Sequence, residues 1–231
     1  MNILITRPLI DSENLMKNFF SMGHKILNIP TLKISSINMK PINPDDFDAF
    51  IFTSANAARN LKLSNQNRKT FCFCVGSITE KIVRQLGFQN TFSAGGTVNA
   101  LKNLLINSNK IDKKSKTAYL CGDNISYNLD LDLKKEGYNV KKIINYSAEK
   151  ITELSDENKK IIEKNIPDLI FIYSLRSAQS FVEISKNYSL YPLMTGSTVM
   201  CISKKAADFL KTAGWKKIEL FNPGEELLKL Q

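Results

Sequence analysis

Six short polar segments are the places in this 231-residue chain where chemistry is possible. They are Thr6-Arg7-Pro8, Thr53-Ser54-Ala55-Asn56, Gly76-Ser77-Ile78-Thr79, Gly122-Asp123-Asn124, Tyr173-Ser174-Leu175-Arg176-Ser177 and Ser203-Lys204-Lys205. Each follows an apolar run and opens into a stretch of helical period, so each reads as the turn from a strand into a helix. Such turns offer hydroxyls and unpaired backbone N–H groups, which together with the helix dipole attract carboxylate or phosphate. Ordinary helix capping accounts for any one of them. Six together favour a ligand with several anionic groups. The chain is rich in donors and poor in proton-transfer groups. Its single histidine, His24, follows Gly23 in a turn, which removes a Ser-His-Asp or Cys-His triad and a multi-histidine metal site unless His24 faces the ligand. Cys72, Cys74, Cys121 and Cys201 lie in expected strands without metal-ligand spacing and read as core thiols. There is no G-x-G-x-x-G, no G-x-x-x-x-G-K-[ST] and no paired-carboxylate motif, so no nucleotide cofactor is expected. The inventory suits a site that positions a reactive substrate and leaves the bond changes to the substrate.

The elements that carry these turns occur twice. Asn2 to Ile34 matches Thr117 to Ile151 as strand, polar turn, amphipathic helix, glycine (Gly23 or Gly137) and second strand. Asp48 to Leu61 (DAFIFTSANAARNL) matches Asp168 to Phe181 (DLIFIYSLRSAQSF), and Phe73 to Phe88 matches Met200 to Trp215. The segments that follow, Ser93 to Leu105 and Phe221 to Leu230, both close on a helix-like pattern. Apolar runs of four to six residues alternating with helical periods are the signature of parallel strands covered by helices on both faces. The fold class is therefore α/β, in two similar lobes of about 110 residues each, near the usual domain size, and two lobes imply a cleft. The repeats divide either sequentially near Lys113 or interleaved, with Met1 to Lys33 joining the C-terminal third. Polarity alternates around Leu32 to Ile37 and Ser147 to Ile151, as in exposed strands crossing side by side, and favours the interleaved split. No apolar stretch approaches the roughly 18 residues of a membrane span, and no signal-like N-terminal region is present, so a cytoplasmic protein with no membrane partner is expected.

The net charge of +10 raises the question of nucleic acid. Only five of the 32 basic residues are arginine (Arg7, Arg59, Arg68, Arg84, Arg176), whereas phosphate and base readers rely on the arginine fork. The lysines are widely spread, and the abundance of Asn and Ile makes compositional bias a competing source of the charge. A polyanionic small ligand is the remaining reading, and composition alone does not choose.

Taken together, ILITRP at Ile3 to Pro8, IPTLKI at Ile29 to Ile34, FDAFIFTSANA at Phe47 to Ala57, CVGSITEKIVRQLGF at Cys74 to Phe88, the Gly122 turn, IINYS at Ile143 to Ser147, FIYSLRSAQSF and the Cys201 to Trp215 repeat resemble the uroporphyrinogen-III synthase family. Their order and spacing carry the resemblance, which covers nearly the whole chain. It implies two HemD-like lobes, each a parallel sheet flanked by helices, joined by a two-stranded β ladder, with residues 1–33 and 150–231 in one lobe, 38–146 in the other and 34–37 and 147–149 connecting. It also implies a lyase that cyclises hydroxymethylbilane to uroporphyrinogen III with loss of water and inversion of ring D. By analogy, loss of the substrate hydroxyl gives an azafulvene, ring D is attacked at its substituted carbon, and a spiro intermediate fragments and recloses.

No cofactor is implied. The partner is a linear tetrapyrrole polycarboxylate, with no nucleic acid and no membrane, for a monomer in transient contact with the upstream synthase. Tyr146, which matches a family tyrosine, is expected to assist hydroxyl departure, since a phenol of reference pKa about 10 donates a proton or hydrogen bond. The expected substrate-binding set is Arg7, Thr53, Ser54, Asn56, Gly76, Thr79, Gly122, Asn124, Ser174, Arg176, Ser177, Lys204 and Lys205. The chain departs from the family at Tyr173, where Thr or Ser is usual, and at Ser203-Lys204-Lys205-Ala206, where a Gly-Pro-Thr-Thr-like turn is usual. Two readings from other classes remain: a non-catalytic two-lobed sensor for an anionic metabolite, and a basic nucleic-acid module.

Overall fold

The computed structural model describes residues 1–230. Two compact units divide it: unit 1 is Met1–Lys33 with Glu149–Gln231, and unit 2 is Ile34–Ala148. The segments 34–37 and 147–148 thus fall inside unit 2 and Glu149 inside unit 1.

The chain begins β1 (Asn2–Ile5), α1 (Leu9–Ser21), β2 (Lys25–Asn28) and β3 (Leu32–Ser36). Unit 2 continues with β4 (Ala49–Phe52), α2 (Ala55–Arg59), β5 (Phe71–Cys74), α3 (Ser77–Gln85), β6 (Thr91–Ser93) and α4 (Val98–Asn107). Then come β7 (Thr117–Gly122), α5 (Leu129–Lys135) and β8 (Val140–Lys150). The remainder is α6 (Asp156–Lys164), β9 (Leu169–Ile172), α7 (Leu175–Asn187), β10 (Thr198–Cys201), α8 (Lys204–Thr212) and β11 (Ile218–Leu220). The helix-like pattern after Phe221 forms only a short 3-10 turn, Glu226–Leu230, so the last repeat pair is unequal: its counterpart α4 spans ten residues.

One sheet has the order β11-β10-β9-β1-β2 and the other β3-β8-β7-β4-β5-β6. Read by repeat equivalence, β2-β1-β9-β10-β11 corresponds to β8-β7-β4-β5-β6, and neighbouring strands within both runs pair in parallel. A pair of aspartates repeats the correspondence at atomic detail. Asp48 Oδ2 accepts the Lys116 N–H at 2.7 Å, and Asp168 Oδ2 accepts the Asn2 N–H at 2.7 Å, tying the starts of the paired strands β4 and β7 in one unit and β9 and β1 in the other.

Burial explains why the central strands read as unbroken apolar runs. Every residue of β4, β7 and β9 is buried, because helices cover both faces of the sheet. Phe50, Phe52 and Phe88 fill one face in unit 2, and Ile51, Phe73, Leu101 and Leu133 the other. Unit 1 packs Ile170, Phe181 and Leu210 on one face and Ile5, Phe19 and Phe171 on the other. Five of the helices start at hydroxyl caps: the side chains of Ser54, Thr97, Ser155, Ser174 and Ser203 each accept an N–H of the first turn. Gly23 and Gly137, at φ 82° and 90°, end the equivalent helices α1 and α5 in the left-handed conformation that other residues rarely adopt.

All four cysteines are buried and free. Burial pushes the Cys74 and Cys201 thiols up to about 12 and Cys121 to about 11, so none is a thiolate nucleophile at neutral pH. His24 packs edge-on to Phe19 in the turn before β2. Among the described residues, no helix is long and apolar enough to cross a membrane.

Candidate functional site

In an open parallel sheet, ligands bind outside the carboxyl ends of the strands where the connections diverge. In unit 2 the chain runs outward from β4 through β5 to β6, and on the other side from β7 to β8, so the divergence lies between β4 and β7. A cavity of about 150 Å³ opens there. Five of the residues expected from sequence line it: Thr53, Ser54, Gly122, Asn124 and Tyr146.

Each of these side chains has a local cause for its position. Ser54 caps α2, accepting the Asn56 N–H at 3.1 Å, which turns the end of β4 towards the helix. Thr53 lies within hydrogen-bonding distance of the Tyr119 hydroxyl, at 3.0 Å. The β7–β8 register shifts between Cys121 and Gly122, which sets Gly122 opposite Tyr146. The Asp123 N–H then donates to the Tyr146 carbonyl at 3.0 Å. The Tyr146 ring lies directly on Gly122: a Cβ at that position would stand 2.7 Å from its Cζ. Only glycine leaves room for the ring at 9% exposure beside the cavity.

Sequence reasoning missed the other two tyrosines of this cavity, Tyr119 and Tyr127. Tyr127 donates its hydroxyl to Asp132, which also pairs with Lys102 at 3.4 Å. Tyr119 sits in the apolar run TAYLCG at 1% exposure, and burial pushes its phenol up to about 12. Nothing in that run marks it as more than core; the signal is its hydroxyl partner, visible only once β4 and β7 are paired.

Three further unit 2 candidates lie outside the cavity lining. Asn56 accepts a hydrogen bond from Arg59 at 2.9 Å, so its carboxamide oxygen is engaged within α2. Gly76 caps α3, and a Cβ there would meet Gly96 Cα at 3.5 Å, an ordinary van der Waals contact. Thr79 is 4% exposed in the first turn of α3.

Unit 1 diverges between β1 and β9, and its turns carry Arg7, Ser174, Arg176 and Ser177. Here the chain fills the crevice with its own groups. Tyr173 stands where unit 2 has Thr53; its ring stacks on Phe171 and meets Phe221 edge-on, with the Arg7 guanidinium 4.5 Å above it. Burial is the first cause that pushes the Tyr173 phenol well above its ordinary value, with the Glu226 carboxylate next. Ser174 caps α7 through the Ser177 N–H at 3.0 Å and donates to the Ser177 hydroxyl at 3.0 Å, and Ser177 is buried. Arg176 occupies the first turn of α7. Lys204 and Lys205 are exposed at the start of α8, while Ala206 is fully buried. A larger cavity of about 440 Å³ in this unit touches Gly196 and Lys216, just before β10 and β11, and so lies at the amino ends of those strands, away from these turns.

Comparison with known proteins follows the same lines. The chain matches the structure of uroporphyrinogen-III synthetase from Helicobacter pylori with a TM-score of 0.66 at 18% identity, covering 100% of this chain and 99% of that one. It matches a mutant uroporphyrinogen III synthase from Thermus thermophilus with a TM-score of 0.54 at 15% identity, covering 100% and 95%. These likenesses establish a shared fold. A search of curated proteins by sequence finds no match. The model of the family described as uroporphyrinogen-III synthase HemD matches residues 13–220, most of the chain, and this protein belongs to that family.

Proposed function

We propose that the unit 2 cavity holds carboxylate-bearing substrate for the family's reaction, with Tyr146 at the departing hydroxyl and Thr53, Ser54 and Asn124 among the anchors. The protein is a lyase of tetrapyrrole biosynthesis that closes hydroxymethylbilane to uroporphyrinogen III. The observation that supports the placement is the convergence of the Tyr146 phenol with the Thr53 and Ser54 hydroxyls, among other polar groups, on the β4/β7 divergence, where a parallel sheet offers its ligand site. Closure expels water and leaves the oxidation level unchanged, so no redox cofactor is needed. The Tyr146 phenol assists the leaving hydroxyl, and the proton released as the macrocycle forms restores it. The binding residues impose the folded conformation that takes attack to the substituted carbon of ring D. Arg7, Gly76, Thr79, Gly122, Asn56, Ser174, Arg176, Ser177, Lys204 and Lys205 complete the binding set in this reading. Four buried free thiols suit a reducing compartment, and we place the enzyme in the cytoplasm as a monomer receiving substrate from the upstream synthase.

Freshly generated hydroxymethylbilane, incubated with the protein, oxidised and resolved by chromatography, should yield isomer III above the spontaneous background. Isomer I alone from folded protein would instead make this a binding protein for an anionic tetrapyrrole. Ser54→Ala is expected to raise KM about two- to tenfold with little change in kcat, since one hydrogen bond among many anchors contributes about 0.5–1.5 kcal/mol. Loss of the α2 cap adds a stability cost of about 1 kcal/mol, read as an earlier urea midpoint. Abolished turnover in this variant would contradict the shared-anchor arrangement.

A further inference from the structure

We infer that Tyr119 is a positioning residue whose buried phenol donates to Thr53 Oγ1 and thereby turns the Thr53 hydroxyl proton into the cavity as a donor for a substrate carboxylate. The inference rests on the reading of this cavity as the tetrapyrrole site. Tyr119 is 1% exposed within the fully buried strand β7, and a phenol at that depth requires a partner for its proton. Its hydroxyl lies 3.0 Å from Thr53 Oγ1, and among the described residues it has no other hydrogen bond. Two hydroxyls that share one contact can be arranged in two ways. If Thr53 donated, the Tyr119 proton, at 1% exposure, would have no acceptor among the described residues, a loss of about 1–3 kcal/mol for a buried polar group. The phenol is therefore the donor, and burial, which holds its pKa near 12, keeps that proton in place at any physiological pH.

The consequence falls on Thr53. One lone pair of its oxygen is occupied by Tyr119, no other acceptor among the described residues takes its own proton, and it lines the cavity. With one of its two lone pairs taken, its hydroxyl offers the cavity its proton and a single remaining lone pair, which favours an acceptor such as a carboxylate oxygen over a ligand N–H. A threonine with a freely rotating hydroxyl would have to be ordered on binding, with a loss of affinity. Ser54 has the same polarity by another route, since its oxygen accepts the Asn56 N–H and its proton is left for the cavity. The two adjacent side chains present protons to the same space.

The test compares wild type, Tyr119→Phe, Thr53→Val and the double variant, each in the full chain. Two readouts are used: steady-state kinetics with hydroxymethylbilane, and fluorescence titration with uroporphyrin, an unreactive tetrapyrrole polycarboxylate. Tyr119→Phe keeps the ring and removes the proton. It is expected to raise both KM and the uroporphyrin Kd about three- to tenfold, the range of one hydrogen bond, with kcat within about twofold. In the Thr53→Val background the same change should have less than about a twofold effect, which a general loosening of the core would not produce. Thr53→Ser, which restores a hydroxyl, should recover most of the affinity lost in Thr53→Val. Unchanged KM and Kd in Tyr119→Phe, or an equal effect with and without the Thr53 hydroxyl, would overturn the inference. So would failure of the wild type to bind uroporphyrin. If wild type binds uroporphyrin but makes no isomer III, the catalytic reading fails, and the titrations still decide the role of Tyr119.

Discussion

Tyr146→Phe is expected to lower turnover by about ten- to a thousandfold, the scale of general acid assistance by a side chain or somewhat below it, while the product remains isomer III. The ring survives in this variant, so the surface it presents beside Gly122 and the cavity lining are retained, and KM should change little. The missing group is the hydroxyl alone. Isomer outcome is set by the imposed fold of the substrate, which the other anchors hold, and rate by how readily the hydroxyl leaves. Measurement of kcat together with the isomer ratio separates the two. A variant with wild-type turnover would remove Tyr146 from the reaction, and a switch to isomer I would make its role conformational.

The second large effect is expected at Gly122, a residue with no side chain to contribute. A Cβ there would lie 2.7 Å from Tyr146 Cζ, 2.8 Å from its Cε2 and 3.0 Å from its hydroxyl. These are rigid aromatic atoms, and the neighbouring backbone is held in the β7–β8 ladder, so the ring itself must swing away. Gly122→Ala should therefore cost about 1–3 kcal/mol of stability, as overpacking does, and lower turnover at least as far as Tyr146→Phe. Urea unfolding and kcat give the two readouts. Combining Gly122→Ala with Tyr146→Leu relieves the clash and should restore much of the stability but none of the activity, a non-additivity that contact between the two side chains requires. An alanine variant as active as wild type would mean that the ring need not lie on Gly122 for catalysis.

Much of the architecture was legible because burial leaves a simple trace. Strands covered on both faces, such as AFIF in β4 and LIFI in β9, appear as short apolar runs, and the repeat ordered them into equivalent pairs. Strand neighbours were not legible. β1 pairs with β9 across more than a hundred residues, and no local pattern encodes that choice. The turns were found because serine and threonine caps are local chemistry, yet the same property hid which of them face a cavity. Ser54 and Ser174 look alike in sequence, and both cap helices; one lines the unit 2 cavity, and the other follows a tyrosine that packs into its own turn. Tyr173 was marked by its departure from the family pattern, and the structure supplies the reason it matters: its ring occupies space that Thr53 leaves open. Tyr119 escaped notice because a phenol inside an apolar strand cannot be told from core until its hydroxyl meets Thr53. The segment after Phe221 kept its apolar period but shortened to a 3-10 turn, with Phe221 in the core and Leu227 packed against it.

The interrupted course of the chain also bears on its birth. Unit 2 is one uninterrupted stretch, 34–148, and every strand of its sheet from β4 to β8 emerges from the ribosome before β9 does. Unit 1 has made only β1, α1 and β2 by then, and β1, the strand between β2 and β9, still lacks one of its neighbours. Domains fold as units in the order in which they are completed. The nascent protein therefore carries a finished globule behind an unfinished, apolar leading segment for the time it takes to add another 20 or so residues and more, at roughly 5–20 residues per second. A codon-level slowdown within that window, or a chaperone that holds the β1 edge, would act on the β1–β2 segment and leave the inserted unit untouched.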